Sequence, residues 1–124
     1  MEQRTRPTLD SIDLIVGDVP AAAAFFRDVV GLTARHVGER FAELDAGGFT
    51  LMLSPDAMVP TAPAAGVILH LRVDDVGAAL AHASERGATV LLELTRTDWG
   101  TESAMIAGPE GIVVDFHRPA DGTS

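Results

Sequence analysis

Short runs in which apolar and polar residues alternate make up most of this chain, and twice the alternation gives way to a helical stripe. Ser11 to Val16 alternates as a strand, and Val67 to Val73 does the same. Each run then meets a helix start. Asp18 and Asp75 can cap the free N–H groups of a first turn, and Pro20 is tolerated there because its missing N–H would have no helical partner. Gly31 and Gly87 are placed to terminate the two helices. The expected inner faces carry Phe25, Phe26, Val29 and Val30 in the first helix, and Leu80 and Ala83 in the second.

Three short strands follow each helix: Thr33 to Val37, Phe41 to Leu44 and Phe49 to Ser54, then Thr89 to Leu94, Ser103 to Ala107 and Ile112 to His117. Gly47-Gly48 and Gly108-Pro109-Glu110-Gly111 supply turn signals between them. The order is therefore βαβββ, twice. A direct overlay supports a repeat: Ser11 to Ala24 laid on Ile68 to Ala81 matches Leu14 with Leu71, Val16 with Val73, Asp18 with Asp75 and Val19 with Val76. The reading is one α+β domain over 1–124, with module one at about 8–54, a proline-containing linker at 55–66, module two at about 67–118 and a polar tail at 119–124. A module this small covers its sheet poorly alone, so two are expected to pair, within one chain or across a dimer.

Composition narrows the partners. No cysteine is present, which removes disulfides, thiolate nucleophiles and Cys-based zinc sites. A net charge of −9 repels phosphate backbones and anionic membranes, so neither nucleic acid nor membrane is an expected partner. The same charge suits solubility, or attraction of a cationic ligand. The first residues are polar and no segment approaches a membrane span in length, which sets a soluble, cytoplasmic protein as the expectation. The glycines are scattered, with no phosphate-cradling loop after a strand and no recognisable serine nucleophile.

Three motifs in order suggest a family. Ile12 to Val19 followed by Phe25-Phe26-Arg27-Asp28-Val29-Val30-Gly31-Leu32, then His70 to Val76, then Gly108 to Phe116, together resemble the vicinal-oxygen-chelate superfamily of glyoxalases, bleomycin-resistance proteins and extradiol dioxygenases. The resemblance implies two βαβββ modules forming a cup-shaped, incompletely closed mixed β-barrel with helices outside and a ligand cavity inside. It also implies a likeness to both enzymes and antibiotic-sequestering proteins, so the fold alone selects no chemistry. Dimerisation is a further expectation on family grounds.

Metal-dependent members hold an ion with four side chains, one from the first and one from the last strand of each module. Carried onto this sequence by that resemblance, those positions fall on Ser11, Ile68, Met52 and Asp115. Three of the four are poor ligands for a hard or borderline cation, so no cofactor is expected. A shifted set remains open. Asp13 and His70 lie two residues further along the same strand faces, and His117 stands in that relation to Asp115.

Asp13, amid Ile12, Leu14 and Ile15, must face water in a cavity or find a partner such as Arg72 or His70, because burying it unpaired is expensive. His70 is either its companion in acid–base chemistry or a satisfied strand residue. Asp115 and His117 are candidate ligand contacts, Asp115 alternatively an acid paired with arginine, and Met52 an adaptable wall. Phe41 either lines the cavity or fills the core. Trp99, the only tryptophan, lies in a segment between strands where similar proteins reach over the cavity mouth, with Asp98 and Glu102 beside it to add negative potential. Its indole suits stacking on a planar or cationic ligand, or packing a rim or dimer seam.

Three functions follow from these residues. The first is metal-independent binding of a small molecule, of which antibiotic sequestration is one form, in an acidic pocket rimmed by Trp99. The second is metal-independent acid–base catalysis, an isomerase or lyase reaction using Asp13 and His70. The third is a metal-dependent lyase or dioxygenase with shifted ligands.

Overall fold

The computed structural model describes residues 7–120; the charged start at 1–6 and the tail from 121 onward lie outside the described residues. Module one runs β1 (Ser11–Ile15), α1 (Val19–Ala24), β2 (Thr33–Val37), β3 (Ala42–Asp45) and β4 (Thr50–Ser54). Module two runs β5 (Ile68–Arg72), α2 (Val76–Glu85), β6 (Val90–Arg96), β7 (Thr101–Ala107) and β8 (Val113–Pro119). Each builds a four-stranded mixed sheet, ordered β1-β4-β3-β2 and β5-β8-β7-β6. The first and last strands of each module pair in parallel and the others antiparallel, so the half-chains share one topology. Among the described residues no strand pair joins the sheets, and neither closes into a barrel.

The caps form as the acids at the strand ends require. The Asp18 carboxylate accepts from the Ala21 N–H at 3.0 Å, and the Asp75 carboxylate from the Ala78 N–H at 2.9 Å. The first helix departs from the plain α form, because Phe25–Val30 continues it as a π-helical stretch. Gly31, at φ 98°, ends it, and the N–H groups of Gly31 and Leu32 both donate to the Phe26 carbonyl. Aromatic and β-branched residues hold the α form weakly, and the wider turn changes which of them point inward. Of the four apolar residues expected to face inward only Phe26 is fully buried; Phe25, Val29 and Val30 pack at the margin.

Each helix packs on one side of its own sheet. Leu14, Leu44, Leu51 and Leu53 meet Val19, Ala22, Ala23 and Phe26 in module one, and Ala104, Ile106, Val114 and Phe116 meet Val76 and Ala83 in module two. Alternation then sends the intervening residues to the opposite, open face: Asp13, Met52 and Ser54 from one sheet, His70, Asp115 and His117 from the other. The modules are clasped by Glu110, whose carboxylate accepts from the Gly17 N–H at 2.7 and 3.0 Å and from the Asp18 N–H at 3.1 Å. His82 Nε2–H adds a bond to the Asp28 carbonyl at 3.1 Å.

Most strand ends shift by one or two residues from the sequence reading, and those at the connection of β6 to β7 have a visible cause. β6 extends to Arg96 and β7 begins at Thr101, because Thr97 and Thr101 close the connection between them. The Thr97 N–H donates to the Thr101 carbonyl at 2.7 Å, and the Thr101 N–H to Thr97 Oγ1 at 3.0 Å. Gly100, at φ 89°, completes the reversal, so Trp99 stands at the tip of a tight hairpin.

Candidate functional site

The open face of module two gathers the most chemistry. His70 on edge strand β5 stands opposite Asp115 on β8, and its Nδ1–H donates to Asp115 Oδ2 at 2.7 Å. A carboxylate oxygen only accepts, so the proton of this bond sits on Nδ1. The two partners differ sharply in exposure, 59% for the imidazole against 4% for the carboxylate. Asp115 lies between His70 and Met105 in register, which covers it. Its Oδ1 is buried with no hydrogen-bond partner among the described residues, a condition that costs on the order of 1–3 kcal/mol. His117, two residues on, brings its ring edge-on to His70 at a centroid separation of 6.1 Å.

Beyond His117 on the same sheet lies a cleft of about 300 Å³ lined by Leu92, Thr95, Asp98, Trp99, Ser103 and Met105, among others. Trp99 is 78% exposed at its edge. Glu102 does not act as the free negative charge expected at this mouth. Cross-strand register sets it between Arg96 at 3.8 Å and Arg118 at 3.9 Å, which neutralise it.

Module one presents a separate polar face. Asp13 is exposed and accepts from Ser54 Oγ at 2.7 Å, so its partner is neither His70 nor Arg72. The expected pairing of Asp13 with His70 is therefore not made; the two acids sit on different sheets, each with its own partner. Met52 is half-buried opposite Asp13. Beside it Arg35 donates to Thr50 Oγ1 at 2.7 Å and approaches Glu43 at 3.3 Å. Phe41 is exposed at the β2–β3 turn against His36, with ring centroids 5.9 Å apart, and does not line the Trp99 cleft.

The sequence reading passed over Ser54, Arg35 and Glu110. Ser54 meets Asp13 only through the parallel pairing of β1 with β4, which brings together residues 41 positions apart. The acid in the Gly-Pro-Glu-Gly turn was the one visible sign of Glu110.

The residues present do not fit a divalent ion. Ser11, Ile68 and Met52 bring no carboxylate or imidazole, and Asp115 gives one oxygen to His70 while the other is sealed from solvent. Among the described residues no group of three or more His, Asp or Glu is arranged to hold a metal, the shifted set included.

Paired βαβββ modules, with helices on one side of each sheet and a mixed polar and apolar face on the other, define a glyoxalase-type fold. The chain belongs to the Glyoxalase/Bleomycin resistance protein/Dioxygenase superfamily, whose sequence model matches residues 8–116. A solved protein described as a conserved domain protein is 37% identical with a TM-score of 0.85, the match covering 91% of this chain and 99% of that one. TnmS3, an antibiotic binding protein from Streptomyces sp. CB03234, is 28% identical with a TM-score of 0.74, over 94% and 99% of the two chains. TioX from Micromonospora sp. ML1 is 21% identical with a TM-score of 0.77, over 91% and 99%, and shares the fold. No protein of curated function matches the chain.

Proposed function

We propose that this chain binds a small aromatic molecule, antibiotic-like and neutral or cationic, on the open face of module two, and holds it without a metal and without transforming it. The observation that carries the reading is Trp99, exposed at the tip of a braced hairpin beside a cleft walled by Leu92 and Met105. An indole held forward in this way offers a stacking face at little entropic cost, and a net charge of −9 favours approach of a cation. The likeness to TnmS3, an antibiotic binding protein, supports the same class of ligand. A cytoplasmic homodimer is part of the proposal. Among the described residues each helix packs on one side of its sheet only, and β1 and β5 are edge strands. No helix among the described residues is long and apolar enough to cross a membrane.

Titration of Trp99 fluorescence with cationic aromatic drugs tests the reading. Saturable quenching, with the drug recovered unchanged and with no metal by elemental analysis, is expected, and Trp99→Ala should weaken binding at least tenfold. Stoichiometric metal, or quenching that survives when the indole's contribution is replaced by an extrinsic probe in Trp99→Ala, would overturn it.

One observation favours a second reading. The His70–Asp115 pair is built as a general base oriented by a carboxylate, which fits an isomerase or lyase reaction on a small carbonyl compound. Turnover that resists chelation and vanishes in His70→Phe would select this alternative.

A further inference from the structure

The strand pairings lay out the open face of module two as a grid. One row crosses the four strands as Thr95, Ser103, His117 and Arg72, and the next runs Leu92, Met105, Asp115 and His70. The two ends of the grid differ in charge. At the β6–β7 end the cleft carries the Trp99 ring and the Asp98 carboxylate, while Arg96 on its wall is engaged by Glu102. At the β5 end stands Arg72, exposed and with no ion-pair partner among the described residues. Register sets His117 directly beside it, half-buried and edge-on to His70. The one acid in the grid, Asp115, is already taken up. Its Oδ2 accepts from His70 at 2.7 Å and its side chain is 4% exposed, so a molecule lying on the face meets the arginine and the His117 imidazole instead.

These features specify an occupant with two poles. A guanidinium presents a planar fork of N–H groups that matches a carboxylate through two parallel bonds, and the neighbouring imidazole supplies a further donor. A plain anion is a poor guest, since a net charge of −9 repels it from the molecule as a whole. A cationic group held against the indole face and near Asp98 balances that charge. Two strand spacings, about 10 Å, separate Ser103 on the wall of the cleft from Arg72.

We propose that the open face of module two takes a zwitterionic aromatic molecule, its ring and cationic group in the Trp99 cleft and its carboxylate about 10 Å away on Arg72 and His117. Arg72 is the residue that selects for the carboxylate, and the covered Asp115 between the poles is kept from opposing it by His70. This names the ligand class of the cleft, narrows the neutral ligands to those carrying both charges, and rests on the reading given for Trp99.

The probe is benzyldimethylammonio-butanoate, an aromatic betaine, set against its methyl ester, which keeps the ring and the cation and lacks the carboxylate. Calorimetry gives the affinities, and the indole N–H resonance of Trp99, the one tryptophan, reports where the ring sits. Wild-type protein should bind the betaine about tenfold tighter or more, although the net charge of the chain favours the ester. Arg72→Gln should reduce that preference to about twofold or less, whereas Arg40→Gln, which removes the same charge from an exposed pair with Asp56 in module one, should retain it. Circular dichroism confirms that both variants fold, and the wild-type comparison decides the matter without them. An indole shift with both probes but no preference for the betaine overturns the carboxylate site and leaves the cleft standing. A preference that survives in folded Arg72→Gln overturns it equally. No saturable indole shift with either probe overturns both readings.

Discussion

Glu110 sits at φ 53°, a backbone conformation that side-chain-bearing residues seldom adopt, and it uses that conformation to reach three N–H contacts on the other module. The position therefore has a cost that its hydrogen bonds offset. Glu110→Ala keeps the strained backbone and loses the clasp, so thermal unfolding should report a loss of about 1 kcal/mol, discounted for exposure, or about 4 °C in Tm. Glu110→Gln, which retains the shape but not the charge, should fall between the two. Charge also acts locally at Asp28, where the hydrogen bond from Arg27 holds the carboxyl below its usual range despite a small opposing effect of burial. The folded form then binds that proton less readily than the unfolded chain. Its small stabilisation is present above the ordinary carboxylate range and fades as pH falls through the depressed value. Carbon NMR titration should show the Asp28 midpoint rising in Arg27→Gln. Of the site, the sequence made Asp13, His70 and Asp115 visible, because polar groups on apolar strands demand an explanation. Their partners were not visible, since the bonds to Ser54 and between His70 and Asp115 depend on pairing of strands far apart in the chain.

Among the elements, the repeat and the alternation were enough to place all eight strands and both helices, because side-chain period and capping acids are local signals. What they missed was also local in form but tertiary in cause. The π-helical end of α1 shows only once Phe26 has a core to enter, and the Thr97–Thr101 closure needs the two strands already paired. Two glycines separate backbone freedom from space. Gly31 is at φ 98° with nothing near a Cβ placed there, so Gly31→Ala should cost about 1 kcal/mol through conformation alone. Gly108 has an ordinary φ, but an added Cβ would lie 2.8 Å from the Ile112 carbonyl oxygen. Gly108→Ala must therefore push the β7–β8 turn open and should be the more damaging of the two in a denaturant melt. Asparagine, which tolerates the left-handed region, should rescue part of the loss at position 31 and none at 108.

At the level of the whole molecule, one face of each sheet is covered by a helix and the other is left open. A two-module chain could have closed its own pocket by turning the open faces together, but here the modules meet through the Glu110 clasp, the His82 bond and an apolar intermodular cavity. Ile68 on β5 and Leu91 and Leu94 on β6 stand about half exposed, at 47%, 53% and 50%, and among the described residues both strands end their sheet without a further strand. The sequence predicted that modules must pair but had no term for which copy supplies the partner, since βαβββ patterning is the same within a chain and between chains. Exposed apolar area of this kind, next to unpaired strand edges, favours association with a second copy. Light scattering after gel filtration should thus find a dimer. Leu91→Lys combined with Leu94→Lys places charge on positions that contact no core, so it should shift the mass toward monomer with little change in far-ultraviolet circular dichroism. A wild-type chain that remains monomeric at high concentration would show that these faces are kept bare for ligand alone.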